Sequence, residues 1–297
     1  MSTKRTKRAA SGSSPAPRHP ASASLLCALM LVLAFSSFSR NAVWINDLVL
    51  WEDAVRKIPN KPRAHNNLGF AYNALRQHDL AIEAFDRSLG LDPDNIAALL
   101  NRGLAYSEMK QHDRAIEDYS KVVARAPSLA KGWFNRGFAY QEKGRLREAI
   151  DDYTRALAAD PAYLKSFRQR GLAYGETGRY EQAADDFSRV IALAPDDAGA
   201  FLNRGTSYAG LGKDLLALAD FDRAIAIKPS FRAAYLNRGN LHYRNRRYPL
   251  AIEDYSKVVE IDPNAQVGYA NRALAYYRNG QLDKAREDKR KAATLGR

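Results

Sequence analysis

From residue 62 onward the apolar positions fall in paired stripes. The stretch FNRGFAYQEKGRLREAIDDYTRAL, Phe134 to Leu157, shows the pattern: an apolar face at helical spacing, a break at Gly144-Arg145, then a second apolar face. That alternation predicts two helices folded into a hairpin. The hairpin recurs along the chain. Gly69, Gly103, Gly137, Gly171, Gly205 and Gly239 stand thirty-four residues apart, and Ala273 continues the series. Pro93, Pro127, Pro161, Pro195, Pro229 and Pro263 keep the same interval, as do Ala81, Ala115, Ala149, Ala183, Ala217, Ala251 and Ala285. The units are 62–95, 96–129, 130–163, 164–197, 198–231, 232–265 and 266–297.

With Pro62 as position 1, position 4 is aromatic in Trp133, Phe167, Phe201, Tyr235 and Tyr269. Position 11 is Tyr in most units, and position 24 is Phe or Tyr in the first six. Small residues at positions 8 and 20 let the two helices approach closely. The proline at position 32 ends the second helix, because it lacks an amide donor and disfavours helix in the residue before it.

This uninterrupted period over seven units resembles the tetratricopeptide repeat (TPR), a helix-turn-helix unit. The resemblance implies an all-α, right-handed superhelical solenoid over 62–297, stabilised by neighbour contacts and capped at its ends. At the C-terminal end position 24 becomes Lys289, which turns charge outward and closes the stack. At the N-terminal end Trp51, Ala54 and Pro59 sit one period before Phe85, Ser88 and Pro93, so residues 43–59 are expected to form a lone second helix.

Residues 1–20 are basic and rich in Ser, Pro and Ala, the composition of a disordered tail. Residues 21–39, ASASLLCALMLVLAFSSFS, contain no charge. As a helix they would span roughly 28 Å, enough for one membrane crossing. A cleaved signal peptide fits the same pattern, with Ala34-Phe35-Ser36 at the cleavage site, but the long basic lead favours an uncleaved anchor. Either way the basic flank stays in the cytoplasm and the repeats lie outside it, in the periplasm if the source is bacterial. Ser39 to Gly69 also resembles the junction in transmembrane-and-TPR proteins, where the last membrane helix of a glycosyltransferase-like domain enters exported repeats.

Charge and chemistry narrow the function. The formal net charge is +13, yet five cations lie in the first twenty residues and the rest are spread among acids. That distribution argues against a nucleic-acid partner. The single cysteine, Cys27, excludes an intrachain disulfide and a cysteine metal site. The five histidines show no ligand spacing: His78 and His112 are turn residues, and His242 replaces a tyrosine at position 11. The glycines form no phosphate-cradling loop. The chain reads as a non-enzyme with no cofactor, metal or small-molecule substrate.

What remains is the triplet Asn-Arg-Gly, repeated at Asn101, Asn135, Asn203 and Asn237. Its arginine, position 7, is Arg102, Arg136, Arg170, Arg204, Arg238 and Arg272, but Leu68 in the first unit. Position 23 is Asp118, Asp152, Asp186, Asp220, Asp254 and Asp288, but Ala84 in that same unit. The joint change predicts an Arg–Asp pair inside each of units two to seven. Position 6 is Asn67, Asn101, Asn135, Gln169, Asn203, Asn237 and Asn271, one primary amide per unit.

In TPR superhelices the first helix of each unit lines a concave groove, which the resemblance assigns to position 6 here. The row is similar to the asparagine ladder of the O-linked N-acetylglucosamine transferase superhelix. The other reading is that Asn is simply common at this position of the repeat. Beside it lie Leu104, Phe138 and Leu172 at position 9, and Glu108, Glu142, Glu176, Arg244 and Arg278 at position 13. The sequence therefore predicts a membrane-anchored TPR adaptor that holds an extended peptide or partner protein. An accessory substrate-binding subunit of a membrane glycosyltransferase is the alternative.

Overall fold

The computed structural model describes residues 47–296, all of them helix or short turn. The basic lead and the apolar segment 21–39 lie outside the described residues. No helix among those described is long and apolar enough to cross a membrane. A lone helix, Asp47–Lys57, precedes seven hairpins. Their first helices are Pro62–Ala74, Ile96–Glu108, Ala130–Glu142, Leu164–Glu176, Ala198–Gly210, Arg232–Arg244 and Gln266–Arg278. Their second helices are His78–Leu91, His112–Arg125, Leu146–Ala159, Tyr180–Leu193, Asp214–Ile227, Tyr248–Ile261 and Leu282–Leu295.

Each hairpin turns at position 15, which takes a left-handed conformation in all seven repeats. Four of these residues are glycine, as at Gly144 (φ 71°), where that conformation carries no Cβ penalty. The second helix stops at position 31, where residues such as Asp160 (φ −140°, ψ 100°) are extended ahead of the proline. Asn95 and Asp197 cap two of the first helices, each side chain accepting from a backbone N–H at 3.1 Å.

Inside the hairpin, position 8 is small for a specific reason. The position-24 ring lies flat against it, so a Cβ built on Gly103 would stand 2.6 Å from Tyr119, and one on Gly205 2.8 Å from Phe221. Those rings are buried, as are the alanines at position 20. The seventh repeat changes both members together: Ala273 takes the glycine's place where Lys289 replaces the ring.

The Arg–Asp pairs are present in repeats two to seven. Arg170 Nε and Nη2 each donate to Asp186 at 2.8 Å, and Arg272 donates to Asp288 at 2.7 and 2.9 Å. The aspartates are buried. The arginines also reach back to the preceding second helix. Arg136 Nη1 donates to Ser120, Arg170 to Thr154 and Arg204 to Ser188, at 2.9–3.2 Å, while Arg102 and Arg238 meet Asp86 and Asp222 at 2.5 Å. Aromatic rings from positions 4 and 11 flank the guanidinium, as Phe201 and Tyr208 do for Arg204 at 5.6 and 5.8 Å. The arginine thus ties together three helices from two repeats.

Successive first helices touch one another along the whole array, while no two second helices do among the described residues. The first helices therefore follow the shorter arc and form the inner face. The lone helix packs on the first repeat alone, with Tyr72 donating to Glu52 at 3.0 Å. At the far end the final helix does turn Arg286, Lys289 and Lys291 to solvent. It does not close the stack completely, because Leu274, Tyr277 and Leu282 stay exposed beside them.

Two substitutions test this account. Arg170→Ala leaves the Asp186 carboxylate buried without its partner, and should lower stability by about 3 kcal/mol in urea denaturation. Arg179→Ala, at an exposed arginine stacked on Tyr174, should cost about 1 kcal/mol or less. Burial already holds the Asp186 carboxyl above its ordinary value against the pull of Arg170. Without the arginine it rises further. A folded-state pKa above the unfolded one favours the folded state at low pH, so the Arg170→Ala deficit should shrink from about pH 7 to about pH 4. A deficit unchanged across that range would rule out an unpaired buried carboxylate. Separately, Gly103→Ala should lose about 1–3 kcal/mol through its clash with Tyr119, while Ala273→Gly loses no more than about 1. Equal thermal stabilities for Gly103→Ala and the parent would show that the ring does not constrain position 8.

Candidate functional site

The amides of position 6 all lie on the inner layer, one per first helix, and all are half-buried. They are not equivalent. Asn101 donates to Asn66 at 3.1 Å, Asn237 to Thr206 at 3.1 Å and Asn271 to Asn240 at 3.0 Å, each partner lying in the preceding repeat. Asn67 accepts from its neighbour Asn66 at 3.1 Å. The side chains of Asn135, Gln169 and Asn203 make no hydrogen bond with the described residues, so each offers two donors and an acceptor. The repeat-to-repeat bonds hold their amides in place and leave the other polar atoms available.

Positions 5 and 9 look alike in sequence and differ in the structure. Leu100 is buried, and Phe134 packs between Tyr153 and Tyr163 at 5.8 and 5.5 Å. Position 5 therefore belongs to the packed core, Phe134 meeting two rings of its own repeat. Position 9 lies open on the inner face: Phe70, Leu104, Phe138 and Leu274 are 59, 39, 37 and 54% exposed, and Leu172 is half-buried. At Thr206 and Asn240, in the fifth and sixth repeats, this apolar row is interrupted.

Position 13 carries the charge. Glu108 accepts from Asn73 at 2.9 Å and lies 3.5 Å from His78. Glu142 and Glu176 are exposed. Arg244 donates to Asp214 at 2.5 Å and to the Ala209 carbonyl at 3.2 Å, while Arg278 is exposed. At position 13 the inner face thus runs from acidic in repeats two to four to basic in repeats six and seven.

The remaining sequence candidates sort as structural. His78 bonds Asn73 at 2.8 Å and is half-buried rather than freely solvated. His242 is buried, and burial lowers its pKa below the ordinary imidazole value. The position-7 arginines point between repeats and not onto the inner face, which removes them as a nucleic-acid surface. Sequence reasoning missed Asn66, Thr206 and Asn240, the partners of the position-6 amides. Their signal was weak, since they occupy two different positions of the repeat.

Comparison with known proteins agrees with this architecture. Models described as tetratricopeptide repeat match 62–95, 96–129, 130–163 and 233–265, a second such model matches 168–230, and a third matches 255–287. No curated protein matches the chain. Among solved structures, MamA protein is 25% identical, with TM-score 0.54, covering 57% of this chain and 92% of that one. YrrB, described as a TPR protein with an unusual peptide-binding site, is 21% identical (TM-score 0.55), covering 62% of this chain and 95% of its own. The C-terminal part of a TPR repeat-containing protein from Cytophaga hutchinsonii is 18% identical (TM-score 0.65), covering 80% and 98%. Every family-model match lies in the repeats, and the junction resemblance of residues 39–69 finds no support.

Proposed function

We propose a function on the ground that this chain belongs to the tetratricopeptide repeat family. It is a membrane-anchored adaptor whose repeats lie outside the cytoplasm and hold an extended peptide, or an extended segment of a partner protein, along the inner face. The observation that carries this reading is the row of half-buried amides, one per repeat, with Asn135, Gln169 and Asn203 unbonded. A peptide backbone exposes a carbonyl and an N–H at each residue whatever its side chains. A primary amide meets both at once. Seven amides in line hold a backbone without reading its sequence closely, and selectivity falls to the flanks. Exposed Leu104 and Phe138 favour apolar side chains, Glu142 and Glu176 favour basic ones, and Arg244 and Arg278 favour acidic ones. The description of YrrB as peptide-binding fits this reading by likeness of fold.

Partner capture tests the amides. Affinity purification from detergent-solubilised membranes, followed by mass spectrometry, should recover a partner with the wild-type chain. Each backbone hydrogen bond contributes only about 0.5–1.5 kcal/mol. Replacing Asn101, Asn135, Asn203 and Asn237 together by alanine should therefore weaken capture about 30-fold or more, with helicity by circular dichroism unchanged. A folded quadruple variant with wild-type affinity would remove the amides as the binding device. Recovery of a polytopic glycosyltransferase as the partner would favour the accessory-subunit reading instead.

Topology is tested independently. A reporter active only after export, fused after Arg297, should be active. Activity of a cytoplasmic reporter at the same place would reverse the orientation.

A further inference from the structure

Between the fifth and sixth repeats the inner face opens into a pocket of about 230 Å³. Small residues at Thr206 and Ala209 make the opening, the Phe221 ring forms part of its apolar wall, and Asn237, Asn240 and Arg244 supply the polar groups. In the second, third and fourth repeats the residues equivalent to Asn240 are Leu104, Phe138 and Leu172, and the equivalents of Arg244 are Glu108, Glu142 and Glu176. This subsite is therefore unlike those earlier in the array.

The hydrogen bonds around the pocket give its chemistry. The Asn240 Oδ1 accepts from Tyr255 Oη at 2.8 Å and from Asn271 Nδ2 at 3.0 Å, so the carbonyl is engaged and both of its N–H groups are unused. Asn237 Nδ2 gives one N–H to Thr206, whose hydroxyl donates in turn to the Leu202 carbonyl at 2.8 Å. Arg244 bonds Asp214 and the Ala209 carbonyl and keeps three of its five N–H groups. The pocket wall thus carries six unused N–H donors. Against them stand only the Asn237 carbonyl and one lone pair of the Thr206 hydroxyl as unused side-chain acceptors. A donor-rich pocket beside a guanidinium complements an acceptor group that carries negative charge.

We propose that this pocket takes the side-chain carboxylate of an aspartate or glutamate in the bound peptide. The inference rests on the peptide-binding reading and names the chemistry of one of its subsites. The carboxylate accepts from Asn240 Nδ2 and Arg244, while the methylene stem lies against Phe221 and Leu241.

A selection experiment separates this claim from the reading beneath it. Short random peptides, displayed with their C-termini fused so that no terminal carboxylate is free, are selected on the full chain in detergent. Peptides enriched by the wild type should share an acidic residue at one fixed place. A synthetic copy should lose about tenfold in affinity when that acid becomes its amide, Asp→Asn or Glu→Gln. On a folded Asn240→Leu, Arg244→Gln variant, the same exchange should change affinity less than about twofold. Enriched peptides with no shared acid would overturn the carboxylate site and leave the peptide-binding face standing, as would an amide copy that binds equally well. If the wild type enriches no peptide at all, the peptide-binding reading itself fails and takes the subsite with it.

Discussion

A guanidinium held away from water is the constraint on which the array turns. Arg204 is typical: it is bidentate to Asp220 within its hairpin, bonds Ser188 on the preceding second helix, and lies between Phe201 and Tyr208. A partly buried charge is tolerated only where its donors are met, so few arrangements of those three helices satisfy it. One residue therefore fixes both the closing of a hairpin and its stagger on the previous one. Repeated six times, the same junction sets a constant step along the solenoid. Because each repeat contacts mainly its neighbours, that local geometry propagates into the global shape. The inner face inherits its regular spacing from this joint.

Much of this was legible before any coordinates. The thirty-four-residue interval gives the hairpin array, and the joint departure at Leu68 and Ala84 gives the Arg–Asp pair. The arginine's third partner was not legible. Asp86, Ser120, Thr154, Ser188, Asp222 and Ser256 share a position and an oxygen but alternate among Asp, Ser and Thr, so no single residue type marks them. The glycine at position 8 was visible, but its reason needed the ring placed against it. Burial on the inner layer was also hidden. Leu100 and Leu104 are four residues apart, on nearly the same helical face, yet only the first is covered. The cover comes from other helices, Leu89, Tyr119, Val122 and Ala139 sharing a cluster with Leu100, and a single helix's periodicity carries no information about such neighbours.

The proposed ligand geometry follows from the same step. Packed helices lie about 8–10 Å apart, so successive amides recur at about that interval. A polyproline II chain turns once in three residues and rises about 9.3 Å in doing so. It presents the same backbone edge to each amide, with no internal hydrogen bonds to break. A β-strand spans that interval in about three residues as well, but its alternate residues face opposite ways, so successive amides would meet opposite edges. On the proposed reading, the spacing set by the partly buried arginines favours the first conformation.

A row of similar amides has a cost of its own. A backbone bound only through amides at equal steps could slide by one step and lose little, much as a strand slips where its side chains do not fix register. Something in the row must differ. The second to fourth repeats are close variants of one another on the inner face, with an apolar residue at position 9 and glutamate at position 13. The fifth and sixth repeats break the pattern with Thr206, Gly210, Asn240 and Arg244. On the proposed reading, a subsite that admits one side-chain chemistry and occurs once would remove the degeneracy, because a slip by one step would carry the acid away from its donors. On that reading the amides supply affinity without sequence, and the single exception supplies register.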